Sequence, residues 1–265
     1  MDIRNKVVAL IGSTGILGSE YVKFLSSEGA NVVIGDIDLH KCILFANEMK
    51  EVYNSNVLPL QIDLFEEESV RIFFKDIISH YGKLDVLINN AQVKPAGFYD
   101  SFEAYSKDTL MKVLEGNTVG MVISCQEACK IFLNQGYGNI INVASIYGIT
   151  GADQRLYDGV VNIYNPEGRF SSPVSYAISK AGVVNMTRYL ASYYREKNIR
   201  VNCLTPGGVF DNHDDNFNNN YSTRTLLGRM ANKKEYNGAI LFLASDASSY
   251  MTGANLIIDG GWTSI

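Results

Sequence analysis

The sequence holds no basic run, no apolar stretch long enough to span a bilayer, no internal repeat and no linker, and each absence narrows what the chain can be. Lys and Arg number 23 against 28 Asp and Glu, a formal net charge of -5, so neither duplex nucleic acid nor an anionic membrane is favoured electrostatically. A small molecule is the expected partner. The N-terminal MDIRNKVVALIG has an apolar run far too short for a membrane span and no small-residue cleavage site; it reads as a first strand, in a protein expected in the cytosol. Cysteine is scarce. Cys42, Cys125, Cys129 and Cys203 show neither metal-ligand spacing nor the density of a disulfide scaffold, so they are expected buried and reduced, with no metal site.

What the 265 residues do contain is material for a large core, 46% hydrophobic against 19% charged. Short β-branched runs alternate with longer amphipathic segments, the pattern of a parallel sheet covered by helices on both faces. Strands are predicted at 7–11, 31–36, 56–63, 84–90 and 139–145, then in NIRVNCLT and ANLIIDG. Helices are predicted near 16–28, 39–50, 66–80, 108–134, 173–197 and 232–244, with Pro173 at a first helical position, where its missing N–H would be unpaired anyway. Two irregular stretches, 146–172 and 206–224, follow strands at the edge where such sheets bind ligands. They are candidates for a substrate wall and a lid; tolerated surface insertions are the plain alternative.

Gly12, Gly15 and Gly18 punctuate GSTGILG between the first strand and the first helix, where glycines permit a tight turn and let backbone N–H groups approach a pyrophosphate. Asp36 ends the second strand at a spacing where a carboxylate can accept from both hydroxyls of an adenine ribose. The same charge would repel a 2′-phosphate and no Arg stands beside it, which favours NAD(H) over NADP(H); a helix cap is the alternative role. Asp63 could bind an adenine amino group or cap the next helix. PVSYAISK sets Tyr176 and Lys180 one helical turn apart, but a chain with 16 Tyr should show a Tyr-x-x-x-Lys match about once by chance, and Tyr193 with Lys197 is a second.

Taken in order, the Gly-rich turn, Asp63, Asn89-Asn90-Ala91, Asn117 in EGNTVG, Ser145 in NVASIYG, Tyr176 with Lys180, Pro206-Gly207 and Ile258-Asp259-Gly260-Gly261 resemble the short-chain dehydrogenase/reductase family over essentially the whole chain. The resemblance implies an α/β fold, a single Rossmann domain whose doubly wound, seven-stranded parallel sheet has the order 3-2-1-4-5-6-7. It implies Asn117, Ser145, Tyr176 and Lys180 as the catalytic set. Cofactor contacts would come from Gly12, Thr14, Gly15, Ile16 and Leu17, from Asp36 with Ile37, and from Asp63 with Leu64. Asn90, Ala91, Pro206, Gly207 and Val209 would complete them, together with Tyr176 and Lys180. The order also separates the two Tyr-Lys pairs: Tyr193 lies roughly 25 Å further along the same helix at 1.5 Å per residue, on the far side of the sheet. A homotetramer or homodimer is implied as well, through the long helices and the C-terminal ILFLASDASSYMTG region.

This chain departs from the family pattern at Ile11, at Gln92 where Gly usually follows Asn-Asn-Ala, and at GGVFDN where many relatives carry Thr. More than any of these, the segment between Ser145 and Tyr176 is long; roughly a dozen residues separate the pair in most of the family, so an insertion at about 149–172 enters the active-site mouth. Its Asp153, Arg155, Tyr157, Asp158, Tyr164, Glu167 and Arg169 suit a polyhydroxylated or phosphorylated ligand, with Arg155, Tyr157, Arg169 and Gly208 as substrate candidates. The wording of SIYGITGADQRLYDG and PVSYAISKAG is similar to oxidoreductases of bacterial surface-glycan and flagellin modification. Expected, then, is interconversion of a secondary alcohol and a ketone on a sugar or sugar precursor. The alternatives are a 3-oxoacyl or small-carbonyl reductase and, from another class, an idle dinucleotide-binding sensor or assembly protein.

Overall fold

The computed structural model describes residues 1–55, 57–162 and 170–265. Seven strands, β1 (Val7–Ile11), β2 (Asn31–Asp36), β3 (Leu58–Gln61), β4 (Val86–Asn89), β5 (Gly138–Val143), β6 (Ile199–Pro206) and β7 (Asn255–Ile258), form one parallel sheet. Its order is β3-β2-β1-β4-β5-β6-β7. The chain winds outward from β1 to β3, returns to the other edge of β1 with β4, and winds outward again, so the strand order reverses between β1 and β4. Because helices cover both faces, strands read as unbroken apolar runs; every residue of β1 is buried. The two-residue period then divides them. Val7, Ala9 and Ile11 pack with Phe73 and Phe132 on one face, while Val8 and Leu10 pack with Tyr21, Leu25 and Leu243 on the other.

Helices α1 (Ile16–Ser27), α2 (Leu39–Tyr53), α3 (Glu67–Tyr81) and α8 (Asn237–Ala244) lie close to where the periodicity puts them, the last preceded by a 3-10 turn at Lys233–Tyr236. The single helix expected at 108–134 is instead α4 (Lys107–Leu114), a π turn (Glu115–Val119) and α5 (Gly120–Gln135). Gly116 within that turn and Gly120 just after it sit where a Cβ would strike Val93 and the Leu64 backbone, so the widened turn lets the helix press against both loops. Helix α6 (Val174–Tyr193) starts one residue late, with Pro173 as the extended cap residue, and stops before 197 because Glu196 and Asn198 take φ of 63° and 56°. Lys197 is therefore off the helix, and Tyr193 and Lys197 share no helical face.

The Asn-rich stretch read as irregular contains α7 (Asp215–Ser222), capped by the Asp214 carboxylate on the N–H groups of Asn216 and Phe217. Asparagine disfavours helix, so burial of Tyr221 rather than propensity holds it. In ILFLASDASSYMTG, Ile240, Leu241, Leu243 and Ala244 go into the chain's own core, which leaves Tyr250 as its exposed aromatic. All four cysteines are buried and unpaired. Among the described residues no helix is long and apolar enough to cross a membrane.

Candidate active site

The reversal between β1 and β4 opens a cleft of about 470 Å³ at the C-terminal edge of the sheet. The glycine turn is its floor. Gly12, at φ 79°, hangs from β2 through its N–H to the Gly35 carbonyl (2.9 Å) and is held from β4 by Asn90, whose Nδ2 donates to the Gly12 carbonyl (2.9 Å). A Cβ there would lie 2.5 Å from the Ala91 Cα, so the turn and the loop after β4 touch backbone to backbone. Gly15 caps α1 with no side-chain hydrogen bond, which leaves first-turn N–H groups facing the cleft. The Asp36 Oδ2 accepts from the N–H (3.0 Å) and hydroxyl (2.8 Å) of Thr14, which fixes the carboxylate on the cleft wall beside Ile37. Asp63, further along the wall with Leu64, accepts from the Phe65 N–H (2.9 Å) in the turn ahead of α3 and does not cap that helix, whose cap residue is Glu66. An uncapped helix N-terminus, a glycine floor and an acid at the distal end fit a dinucleotide.

A second cavity of about 290 Å³ continues from the cleft past Ile16, Leu17, Asn90 and Val209 to Ser145, Tyr176 and Lys180. Ser145 follows β5 and its Oγ accepts from the Tyr147 N–H (3.2 Å) in the 3-10 turn Ile146–Gly148. Gly148 closes that turn where a Cβ would lie 2.6 Å from the Lys180 carbonyl carbon, so its bareness brings the serine turn onto α6. Tyr176, in the first turn of α6, is raised above the ordinary phenol value by burial, opposed by a hydrogen bond from Ser145. Lys180 is buried and donates from Nζ to the Val143 carbonyl (2.8 Å), with the ammonium 5.8 Å from the centre of the Tyr176 ring. Burial brings the Lys180 ammonium down to about 8.

That depression has a consequence for folding. The native protein holds this proton less tightly than the unfolded chain, so its charge costs stability below pH 8, and the cost fades as pH rises from about 8 toward the ordinary lysine value. Lys180→Met is expected to stabilise the cofactor-free protein at pH 7 by about 2 kcal/mol, after the lost bond to Val143 is counted. Denaturant titration would show the gain shrinking above pH 8; a loss of stability at pH 7 would contradict it.

Asn117 does not line either cavity. It lies buried in the π turn, its Oδ1 accepting from the Val93 N–H (2.7 Å) and its Nδ2 without a protein partner, in a turn that packs against α6. An orphaned buried donor is the kind of group that water satisfies.

The chain matches the family model described as enoyl-(acyl carrier protein) reductase over residues 13–263. It is 31% identical over 264 residues to the 7alpha-hydroxysteroid dehydrogenase of Bacteroides fragilis, covering 98% of this chain and 95% of that one. With the post-translational flagellin modification protein A of Campylobacter coli it shares 28% over 262 residues, 98% of this chain and 99% of that one. The chain belongs to the short-chain dehydrogenase/reductase family. A crystal structure of a short-chain dehydrogenase from Leptospira borgpetersenii serovar Hardjo-bovis with bound NAD+ superposes with a TM-score of 0.85 at 33% identity, over 99% of this chain and 94% of that one. This short-chain dehydrogenase/reductase is accordingly an NAD(P)-linked oxidoreductase of CH–OH groups.

The insertion sits differently from expectation. Arg155 does not line the cavity: it forms a two-point pair with Asp153 (2.8 and 2.7 Å), which Arg224 joins at 3.3 Å, on the outer surface of the dehydrogenase. Its charge is satisfied more cheaply by that carboxylate in water than by facing an aromatic wall. Tyr157 and Gly208 do line the cavity, and so do Pro206 and Gly207. Arg169, with Tyr164 and Glu167, lies outside the described residues. Sequence reasoning missed Tyr147, Phe217, Tyr221, Met230, His213 and Lys94, all on the cavity wall. An aromatic two places after Ser145, and aromatics four apart in the stretch after β6, were the available signal.

Proposed function

We propose that this dehydrogenase interconverts a secondary alcohol and a ketone on a sugar, sugar phosphate or nucleotide-sugar precursor, using NAD(H) in preference to NADP(H). The observation that carries the reading is the continuity of the two cavities, with Ser145, Tyr176 and Lys180 at one end and Asp36 at the other. The glycine turn, Asp36, Asp63 and the 206–209 segment would hold the dinucleotide, and Lys180 its nicotinamide ribose. Bound nicotinamide supplies the hydride acceptor or donor. Tyr176 moves the proton at its phenolic oxygen, to or from the substrate oxygen, while the Ser145 hydroxyl hydrogen-bonds that oxygen and steadies developing charge. The Lys180 ammonium favours the phenolate, and Asn117 positions a water behind it. The flagellin modification relative supports the sugar substrate; the description of the matched family model favours acyl-carrier-linked carbonyls as the second reading. NADH fluorescence with a panel of keto sugars tests this: oxidation of NADH by a member supports it, and binding without turnover favours a dinucleotide sensor.

The cofactor preference has its own test. Asp36→Asn keeps an acceptor for the Thr14 N–H but removes the charge that repels a 2′-phosphate. The ratio of kcat/KM for NADH over NADPH should fall at least about tenfold, about 1.4 kcal/mol of discrimination. An unchanged ratio would remove Asp36 from the ribose end. A homotetramer or homodimer remains our reading of the assembly, on the exposed Tyr189, Tyr193 and Ile178 of α6 and Val119 at the end of the π turn before α5.

A further inference from the structure

On the substrate side of Tyr176 the wall is aromatic. Tyr147 meets the Tyr176 ring edge-on at 6.4 Å. Tyr157 and Phe217 tilt across each other at 5.4 Å, Phe217 lies 6.0 Å from Tyr221, and Tyr221 is stacked from behind by Trp262 at 4.6 Å. Tyr147, Tyr157, Phe217 and Tyr221 all line the cavity, and among the described residues no Asp or Glu does. The rings are held by one another and by backbone. The Gly208 N–H donates to the Tyr221 oxygen, and the Asn220 Nδ2 donates to the Leu156 carbonyl (3.1 Å), tying α7 to the insertion. Such a wall is formed before ligand arrives, so little ordering cost falls on binding.

We infer that this wall is a cage for a single hydroxyl-bearing six-membered ring, packed against Tyr157, Phe217 and Tyr221, with the phenol of Tyr147 reading a hydroxyl next to the reacting carbon. The inference rests on the alcohol–ketone reading above and narrows its substrate. Shape comes first: about 290 Å³, part of it beside the nicotinamide end, is room for one ring against the aromatic wall. The faces of ring carbons then cover aromatic surface that is otherwise wet. Chemistry comes second. Tyr147 and Tyr157 both line this wall, and a phenol oxygen can accept from a ligand hydroxyl as well as donate to it. Burial keeps both phenols neutral, which suits a hydroxyl rather than a carboxylate. Because Tyr147 packs against Tyr176, a ring whose reacting hydroxyl is at Tyr176 and Ser145 offers its adjacent hydroxyl to Tyr147. A site that bonds a substrate hydroxyl rejects the analogue lacking it, since its own polar group is left unpaired.

The test uses the NAD+-saturated protein and three probes: cyclohexane-1,2-diol as cis and trans isomers, cyclohexanol, and open-chain butane-2,3-diol. Two readouts are taken. NADH absorbance follows turnover, and emission of Trp262, the sole tryptophan and a stacking partner of the cage, follows binding without requiring chemistry. The better cyclic diol is expected to exceed both cyclohexanol and the open-chain diol at least about tenfold in affinity or kcat/KM. Tyr147→Phe should abolish the preference for diol over cyclohexanol. Phe217→Leu, with Phe217→Ala as the stronger variant, should erode the preference for ring over chain. Equal handling of ring and chain, an undiminished diol preference in Tyr147→Phe, or no binding of a cyclic probe would each overturn the cage. Cyclic probes that bind by emission but give no NADH would keep the cage and count against the proposed reaction; NADH formed alike from all three would do the reverse.

Discussion

Tyr176→Phe is expected to lower turnover by about three orders of magnitude, about 4 kcal/mol of barrier, while NADH affinity and folding stability stay near those of the parent. The change removes one oxygen. The ring keeps its edge contacts with Phe98 and Tyr147, each at 6.4 Å, and among the described residues the phenol's hydrogen-bond partner is Ser145, within the site itself. What is lost is the group beside Ser145 that can take a proton at the substrate oxygen with an ammonium poised behind it. The pH dependence carries a sign. Burial raises Tyr176, and the hydrogen bond from Ser145 opposes it. Alcohol oxidation should therefore rise with pH as phenolate forms, and Ser145→Ala should push that rise to higher pH. Single-turnover absorbance across the pH range measures both; full turnover in Tyr176→Phe would take the proton step away from this residue.

Why the sheet was readable and the substrate wall was not is a matter of what constrains each. A strand buried on both faces is largely apolar, so β1 announces itself, and the glycine turn, Asp36 and the Tyr176–Lys180 pair are placed by the strands they follow. Position in the α/β order thereby separated Tyr176 from Tyr193, which spacing alone could not do. Helix α7 has no such signature: its Asn-rich face is polar, and Tyr221 and Phe217 stabilise it through contacts with residues far away in the sequence. The π turn at Asn117 depends on two glycines fitting against Val93 and Leu64, a tertiary fact. The insertion's charge does not face the ligand: Asp153 pairs with Arg155 and Arg224 on the surface, while the neighbouring Tyr157 turns inward. Pattern fixes which residues are buried; it does not say which polar groups will satisfy one another first.

The glycine turn offers the sharpest separation of fold from function, because two of its residues stand in opposite surroundings. At Gly18 an added Cβ would drive into the Gly12 carbonyl oxygen and lie 2.9 Å from the Ser13 Cα, both backbone atoms that cannot rotate away. Gly18→Ala must lift α1 off the turn. A cost of about 3 kcal/mol is expected, with dinucleotide binding lost because the N-terminus of α1 moves. At Gly15 the same methyl would meet nothing nearer than the Gly12 carbonyl oxygen at 3.5 Å, an ordinary contact, and would stand on the cleft wall. Gly15→Ala is expected to fold with stability within about 1 kcal/mol of the parent, since a cap residue changes from Gly to Ala, yet to bind NADH at least about tenfold more weakly. Calorimetric unfolding paired with NADH titration reads the two effects separately. Were Gly15→Ala to bind NADH as the parent does, the pyrophosphate could not lie against the first turn of α1, and the assignment of the cleft to a dinucleotide would fail with it.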